Sequence, residues 1–446
     1  MCGIVGYVGY DEAAGKIIEG LKKLEYRGYD SSGIAILSDK GIELNKCKGE
    51  IKNLENMIAG RIPSGTCGIG HTRWATHGAP SDVNSHPHMD QSGRVALVHN
   101  GIVENYVELK EALINEHGIK FKSETDSEVI AQLVGVKYNA NGGDLEKAVY
   151  DATKEMRGTY AIGVIAEDTP NKIVAYRKEA PLIAGLGKKS NFIASDIPAL
   201  LKYTNDIFLI ENDEMVICTP DSITIKDKDG KEVKREAMKI TWSVEDAEKG
   251  GYEHFMLKEI NEQPKVVAET LNRRIDEDGK IKLDGINLTK EELDKYNKIY
   301  IVACGTAYHA GLVGKYVIEK MAGIAVEVDV ASEFRYRDPF IDEKTLFIAI
   351  SQSGETLDTL MSLRLAKEKG ARVLSVVNVV GSSIARESDD VFYTWAGPEI
   401  AVASTKAYTT QLVCMYLIAL YLGDIRGTLT DEYRKFILEE LQQIPE

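Results

Sequence analysis

Cysteine is scarce and scattered. The six cysteines (Cys2, Cys47, Cys67, Cys218, Cys304, Cys414) form no CxxC pair and no dense cluster. That argues against a zinc site or a disulfide framework and fits a reducing cytoplasm. Long apolar runs are missing as well: none approaches the roughly 20 residues of a membrane span. The longest, Leu412–Leu422, is broken by tyrosines and reads as a buried helix. No basic region precedes an apolar core at the start, so no secretory leader is expected. Positive charge is in deficit, with 54 Lys and Arg against 69 Asp and Glu and a net charge of -15. A nucleic acid or an anionic membrane would want a basic face, so neither is expected as a partner. A small anion remains possible, because helix N-termini bind phosphate whatever the global charge. Internal repeats and low-complexity segments are absent. A length of 446 residues predicts two or three domains.

The first half carries short apolar or alternating runs typical of strands, including Gly3–Val8, Cys67–Gly70, Val95–His99 and Tyr160–Ile165. Helical patterns lie between them at Glu12–Leu24, Val103–Glu116, Asp126–Val136 and Leu145–Met156. Strands with segregated helices predict an α+β layered domain. A polar stretch at Lys226–Lys239 and an acidic one at Val244–Gly251 mark a boundary. Glu253–Arg274 reads as one helix or two, interrupted near Pro264. From Lys298 onward, fully apolar strands alternate with helices, which predicts a doubly wound parallel sheet.

The chain opens Met1-Cys2-Gly3-Ile4-Val5-Gly6. Trimming of Met1 would leave Cys2 with a thiol and a free α-amine, a nucleophile and a general base in one residue. A small residue that merely begins a buried strand has the same appearance. Three further clusters bear on the choice. In His71-Thr72-Arg73-Trp74-Ala75-Thr76-His77-Gly78, the Arg73 guanidinium suits bidentate capture of a carboxylate; a polar loop with a structural Trp is the plainer reading. In His99-Asn100-Gly101, the Asn100 amide and the Gly101 N–H suit an oxyanion hole, or the pair is a simple Asn-Gly turn. In Ser123-Glu124-Thr125-Asp126-Ser127-Glu128, Asp126 either caps a helix or pairs with a substrate ammonium.

Together with Leu24-Glu25-Tyr26-Arg27-Gly28-Tyr29-Asp30-Ser31-Ser32-Gly33, these stretches resemble the N-terminal-nucleophile (Ntn) glutaminase domain of class II amidotransferases, over residues 2–240. The resemblance implies a four-layer α+β Ntn fold and a set of roles. Cys2 attacks the glutamine amide, with Arg27 nearby. Asn100 and Gly101 hold the oxyanion. Arg73 takes the α-carboxylate and Asp126 the α-ammonium. Thr76, His77 and Gly78 line the pocket, and Trp74 gates it toward an ammonia channel.

In the second half, Ser351-Gln352-Ser353-Gly354-Glu355-Thr356 falls between a buried strand and a helix, where an open α/β sheet places its ligand. Its hydroxyls suit a phosphate, or they are a hydroxyl-rich helix cap. Cys304-Gly305-Thr306 occupies the equivalent turn after the first strand. Neither turn is a P-loop or a dinucleotide fingerprint. With Tyr252–Ile260, Ala331–Arg337 and Ala403–Tyr408, these segments resemble a sugar isomerase (SIS) module of the kind found in the glucosamine-6-phosphate synthase family. That resemblance implies an α/β SIS domain at 285–430, after a linker with connecting helices at 241–284. Residues 431–446 then begin a connection to a second module that the chain lacks. It implies that Ser351, Gln352, Ser353 and Thr356 bind the phosphate of fructose 6-phosphate, with Cys304, Gly305, Thr306 and Ser404 around the sugar. Where the family usually has Ser, this chain has Ala307. Glutamine and fructose 6-phosphate are the expected substrates, no metal or cofactor is implied, and a cytoplasmic homodimer is expected. Glucosamine 6-phosphate is the expected product, its completion needing the second module. A stand-alone glutaminase or sugar-amine deglycase, and a non-catalytic sugar-phosphate sensor, are the alternatives.

Overall fold

The computed structural model describes residues 2–75, 78–240, 249–272, 274–275, 280–283, 285–286 and 288–446. The chain divides into two compact units, Met1–Ala247 and Glu248–Glu446.

In the first unit two antiparallel sheets stack. From edge to edge, the eight-stranded sheet runs Met238–Lys239, Asp206–Leu209, Ile183–Leu186, Ser190–Ala194, Gly3–Gly9, Cys67–Arg73, Ser31–Ser38, Gly41–Lys48. The six-stranded sheet runs Ile223–Lys226, Glu214–Cys218, Ile173–Lys178, Gly158–Ala166, Val95–Val103, His88–Met89. Between them lies an apolar layer that includes Ile4, Val8, Ile69, Val98, Ile165 and Ile193. Ile193 fills this layer closely: a Cβ on Gly6 of the first sheet would come within 2.6 Å of its side chain, and one on Gly163 of the second within 2.7 Å. The helix Ala13–Lys22 covers the outer face of the first sheet with Ala13, Ala14, Ile17, Ile18 and Leu21, the spacing of one helical face. The helices Tyr106–His117, Asp126–Ala140 and Leu145–Glu155 cover the other sheet. The result is the expected four-layer α+β sandwich. It also explains why Gly3–Gly9 is buried at every position, because a strand covered on both faces has no polar side.

Sequence patterning overlooks the strand Gly41–Lys48 and the helix Ile51–Ile58. Polar residues interleaved with Ile42, Leu44 and Cys47, most of them half-buried, mask the strand. The strand Val95–Val103 also runs past His99, so Asn100 and Gly101 pair with Ala161 and Tyr160 as ladder residues. The Asn-Gly turn is therefore corrected.

In the second unit five parallel strands are ordered Ala325–Val330, Lys298–Ala303, Thr345–Ser351, Arg372–Val377, Asp390–Tyr393. Helices cover both faces of this sheet, as expected for a doubly wound fold. The chain leaves Lys298–Ala303 toward one edge and then returns to its other side, so the topological switch point lies between Lys298–Ala303 and Thr345–Ser351. Lys406–Arg426 is the one described helix long and apolar enough to cross a membrane, and it is largely buried in this core.

Phe255–Asn272 forms one continuous helix across Pro264. The carbonyl orphaned by the proline, that of Ile260, accepts instead from the Gln263 side chain at 3.1 Å. Much of the segment 241–284 thus belongs to the second unit's packing, since Val267 and Leu271 join its core.

Candidate active site and phosphate loop

In the first unit, residue 2 is where the polar groups meet. The strand Gly3–Gly9 pairs with Cys67–Arg73 (Gly3 opposite Thr72) and with Ser190–Ala194 (Val5 opposite Ala194). These two registers bring residues about 70 and 190 positions away beside Cys2. The Trp74 N–H donates to Cys2 Sγ at 3.3 Å. The Cys2 carbonyl accepts from Arg27 Nε at 3.1 Å and from Asn100 Nδ2 at 3.2 Å. Arg27 also pairs with Asp196 at 2.8 Å. Burial raises the Cys2 thiol pKa, against the Trp74 N–H and the Arg73 and Arg27 charges, which lower it. The thiol is thus mainly protonated near neutral pH and needs a base to react.

Asn100 is held at both ends. Its Nδ2 donates to Ser195 Oγ at 2.8 Å as well as to Cys2, and its Oδ1 lies 3.0 Å from His71 Nε2. Gly101 follows with φ 123°, and a Cβ there would lie 2.0 Å from the Thr159 carbonyl, so only glycine is accommodated.

Arg73 is buried and donates to the Gly78 carbonyl at 3.1 Å. The backbone beside it is crowded: a Cβ on Gly28 would lie 2.5 Å from the Arg73 carbonyl carbon. The Asp30 carboxylate accepts from the Ala75 N–H at 2.6 Å, which anchors the chain just after Arg73 and Trp74. Trp74 is 43% exposed and meets Tyr29 edge to face. Thr76 and His77 lie outside the described residues.

Asp126 does not cap its helix. Thr125 does, accepting from the Glu128 N–H at 3.2 Å. Asp126 accepts instead from the Val103 N–H at 3.0 Å and lies 4.0 Å from His99 Nδ1. It also accepts from Ser127 Oγ at 3.3 Å, and a buried carboxylate with these contacts keeps lone pairs for an ammonium. Sequence reading missed Ser195 and Asp196 altogether. A Ser-Asp pair after a strand carries no local signal, and only the pairing of Val5 with Ala194 places it here.

In the second unit the turns after Lys298–Ala303 and Thr345–Ser351 both sit at the switch point, and Thr359 Oγ1 lies 3.9 Å from Cys304 Sγ. Ser351 Oγ accepts from the Gly354 N–H at 3.0 Å and lies 3.0 Å from Thr356 Oγ1. Ser353 Oγ accepts from the Glu355 N–H at 3.2 Å. Thr356 begins the helix Leu357–Glu368 without a side-chain cap, and Cys304 begins Gly305–Ala322 in the same way. The hydroxyls therefore shape the loop and leave helix N–H groups for an anion, which disfavours the capping alternative. Gln352 binds through its backbone, its carbonyl accepting from the Asn378 N–H at 3.2 Å. Gly305 and Thr306 are exposed, and Ala307 is buried. Ser404 is tied elsewhere, donating to Glu399 at 2.8 Å, and its hydrogen bonds do not reach the loop.

Comparison with known proteins follows the same division. A glutamine amidotransferase domain matches residues 71–202 and an SIS domain residues 292–421. The glutamine–fructose-6-phosphate aminotransferase (isomerizing) of Clostridium tetani is 59% identical over all of this chain and 73% of its own length. The protein of that name from Clostridium perfringens is 58% identical over all of this chain and 72% of its own. One from Thermus thermophilus is 50% identical over all of this chain and 72% of its own. The chain belongs to the glutamine–fructose-6-phosphate aminotransferase (isomerizing) family.

Proposed function

We propose that the chain releases ammonia from glutamine at Cys2 and uses it to aminate fructose 6-phosphate toward glucosamine 6-phosphate. The observation that carries the glutaminase half is the convergence of Arg27, Asn100 and the Trp74 N–H on residue 2. Once Met1 is removed, the Cys2 amine takes the thiol proton, and the sulfur attacks the side-chain amide carbon. Asn100 Nδ2 and the Gly101 N–H receive the oxyanion, with one Asn100 proton leaving the Cys2 carbonyl to do so. The tetrahedral species collapses, the C–N bond breaks, and ammonia departs with the transferred proton. Water then hydrolyses the thioester to glutamate. Arg73 holds the α-carboxylate as a planar two-donor clamp, and Asp126 the α-ammonium. Gly78 borders the pocket, with Trp74 at its mouth, and the family resemblance implies that Thr76 and His77 contact glutamine as well.

Sugar phosphate binds at the second unit's switch point. Ser351, Gln352, Ser353 and Thr356 surround the phosphate, and Cys304, Gly305 and Thr306 the sugar. Ser404 joins them only if it leaves Glu399. The chain acts as a cytoplasmic homodimer, which sedimentation tests. Labelling with an electrophilic glutamine analogue, followed by mapping of the adduct, tests the core of the reading. The expected result is one adduct, on Cys2, in a chain whose mass lacks Met1. An adduct on another cysteine, or retention of Met1 in an active chain, overturns it.

A further inference from the structure

Among the described residues, four histidines are buried together in the first unit: His71, His86, His88 and His99. The glutaminase scheme gives none of them a part. His71 is the one whose ring nitrogen meets the Asn100 amide.

Its Nε2 lies 3.0 Å from the His99 carbonyl and 3.0 Å from Asn100 Oδ1. Both of those atoms can only accept, so Nε2 carries the hydrogen. The orientation of the Asn100 amide follows independently. The Cys2 carbonyl can only accept, so the atom facing it is Nδ2, which leaves Oδ1 toward His71. His71 Nδ1 is buried without a partner, and the ring stacks on His86 at 4.0 Å with planes 13° apart. Burial lowers the His71 pKa to about 3, so the ring stays neutral and single-donor throughout the working range. On the strand Cys67–Arg73, His71 is two residues from Arg73, so both side chains leave the same face.

We propose that His71 is a positioning residue for the glutaminase reaction, its Nε2–H gripping Asn100 Oδ1 so that the opposite N–H stays aimed at the oxyanion. The inference rests on the oxyanion role given to Asn100 above. During turnover the Asn100 contact with the Cys2 carbonyl has to be released so that the N–H can serve the intermediate. The His71 contact is at the other end of the amide and persists. Without it, the amide would be held only through Ser195, whose hydroxyl tolerates either amide atom.

The test is a double-mutant cycle on glutamate release. His71→Leu is expected to lower kcat about 10- to 100-fold, with KM for glutamine changed less than about 2-fold. His71→Gln, whose amide N–H reaches about as far as Nε2–H, is expected to return kcat to within about 5-fold of the parent. In an Asn100→Ala background, His71→Leu is expected to cost less than about 3-fold. A full His71→Leu loss on top of Asn100→Ala overturns the positioning role. So does a folded His71→Gln enzyme that is more than about 50-fold impaired, which keeps the test open if His71→Leu does not fold. Normal kcat in Asn100→Ala overturns the oxyanion reading itself, and the role of His71 with it.

Discussion

Around Cys2, the buried Arg27, Asn100 and Ser195 side chains and the Trp74 N–H are hydrogen-bonded across registers that join residues about 70, 100 and 190 positions apart. The hydroxyls of the loop Ser351–Thr356 bond to neighbours within six positions, while the backbone of Gln352 and Gly354 ties it to Asn378 and Ile384, and the helix after it begins without a side-chain cap. The first arrangement suits bond-making chemistry, where a small displacement of a donor costs rate. The second suits holding a phosphate, which many equivalent N–H groups can share. Loss of one group should therefore be severe in the first unit and mild in the second.

Substitutions can break that comparison. Cys2→Ala is expected to lower glutamate release by about 10⁴-fold or more, leaving calorimetric affinity for fructose 6-phosphate unchanged. Equal damage to both would mean that the units do not divide the work. Arg73→Ala is expected to reduce kcat/KM for glutamine about 100-fold, because a charge-assisted pair is lost from a buried site. Unchanged steady-state kinetics would remove it from the carboxylate clamp. Ser353→Ala is expected to weaken fructose 6-phosphate binding only about 10-fold in the same calorimetric assay, with glutamate release untouched. The smallest effect expected is a gain. Ala307→Ser places a hydroxyl in the first turn of the uncapped helix Gly305–Ala322 and should tighten fructose 6-phosphate about 3-fold. A loss instead would show that the buried position cannot host a polar group.

The same contrast decides what could be read from the chain alone. The strand–loop–helix succession around Ser351 is local, so the parallel sheet and the turn after its strand Thr345–Ser351 were legible from the change of hydrophobic period at Lys298. Cys2, Arg73, Asn100 and Asp126 were singled out by residue type and by family resemblance. Their contacts were not legible. No local pattern shows that Asn100 and Gly101 continue a strand, because Asn-Gly is a common turn pair. Thr125, not Asp126, caps its helix, since either residue type can serve and only the geometry decides. Ser195 stayed hidden because its role depends on which strand lies beside Gly3–Gly9. The strand Gly41–Lys48 escaped notice because its few apolar residues, Ile42, Leu44 and Cys47, stand among polar ones and most positions are half-buried.

Cys2 is carried by one sheet of the sandwich and Asn100 by the other. The placing of these two residues against each other therefore depends on the thickness of the apolar filling, which Ile193 spans between Gly6 and Gly163. The filling works as a shim. Trimming Ile193 to valine or alanine would alter the gap between Cys2 and Asn100 without touching a polar atom, so under the proposed glutaminase reading selection on turnover would reach residues that never meet glutamine.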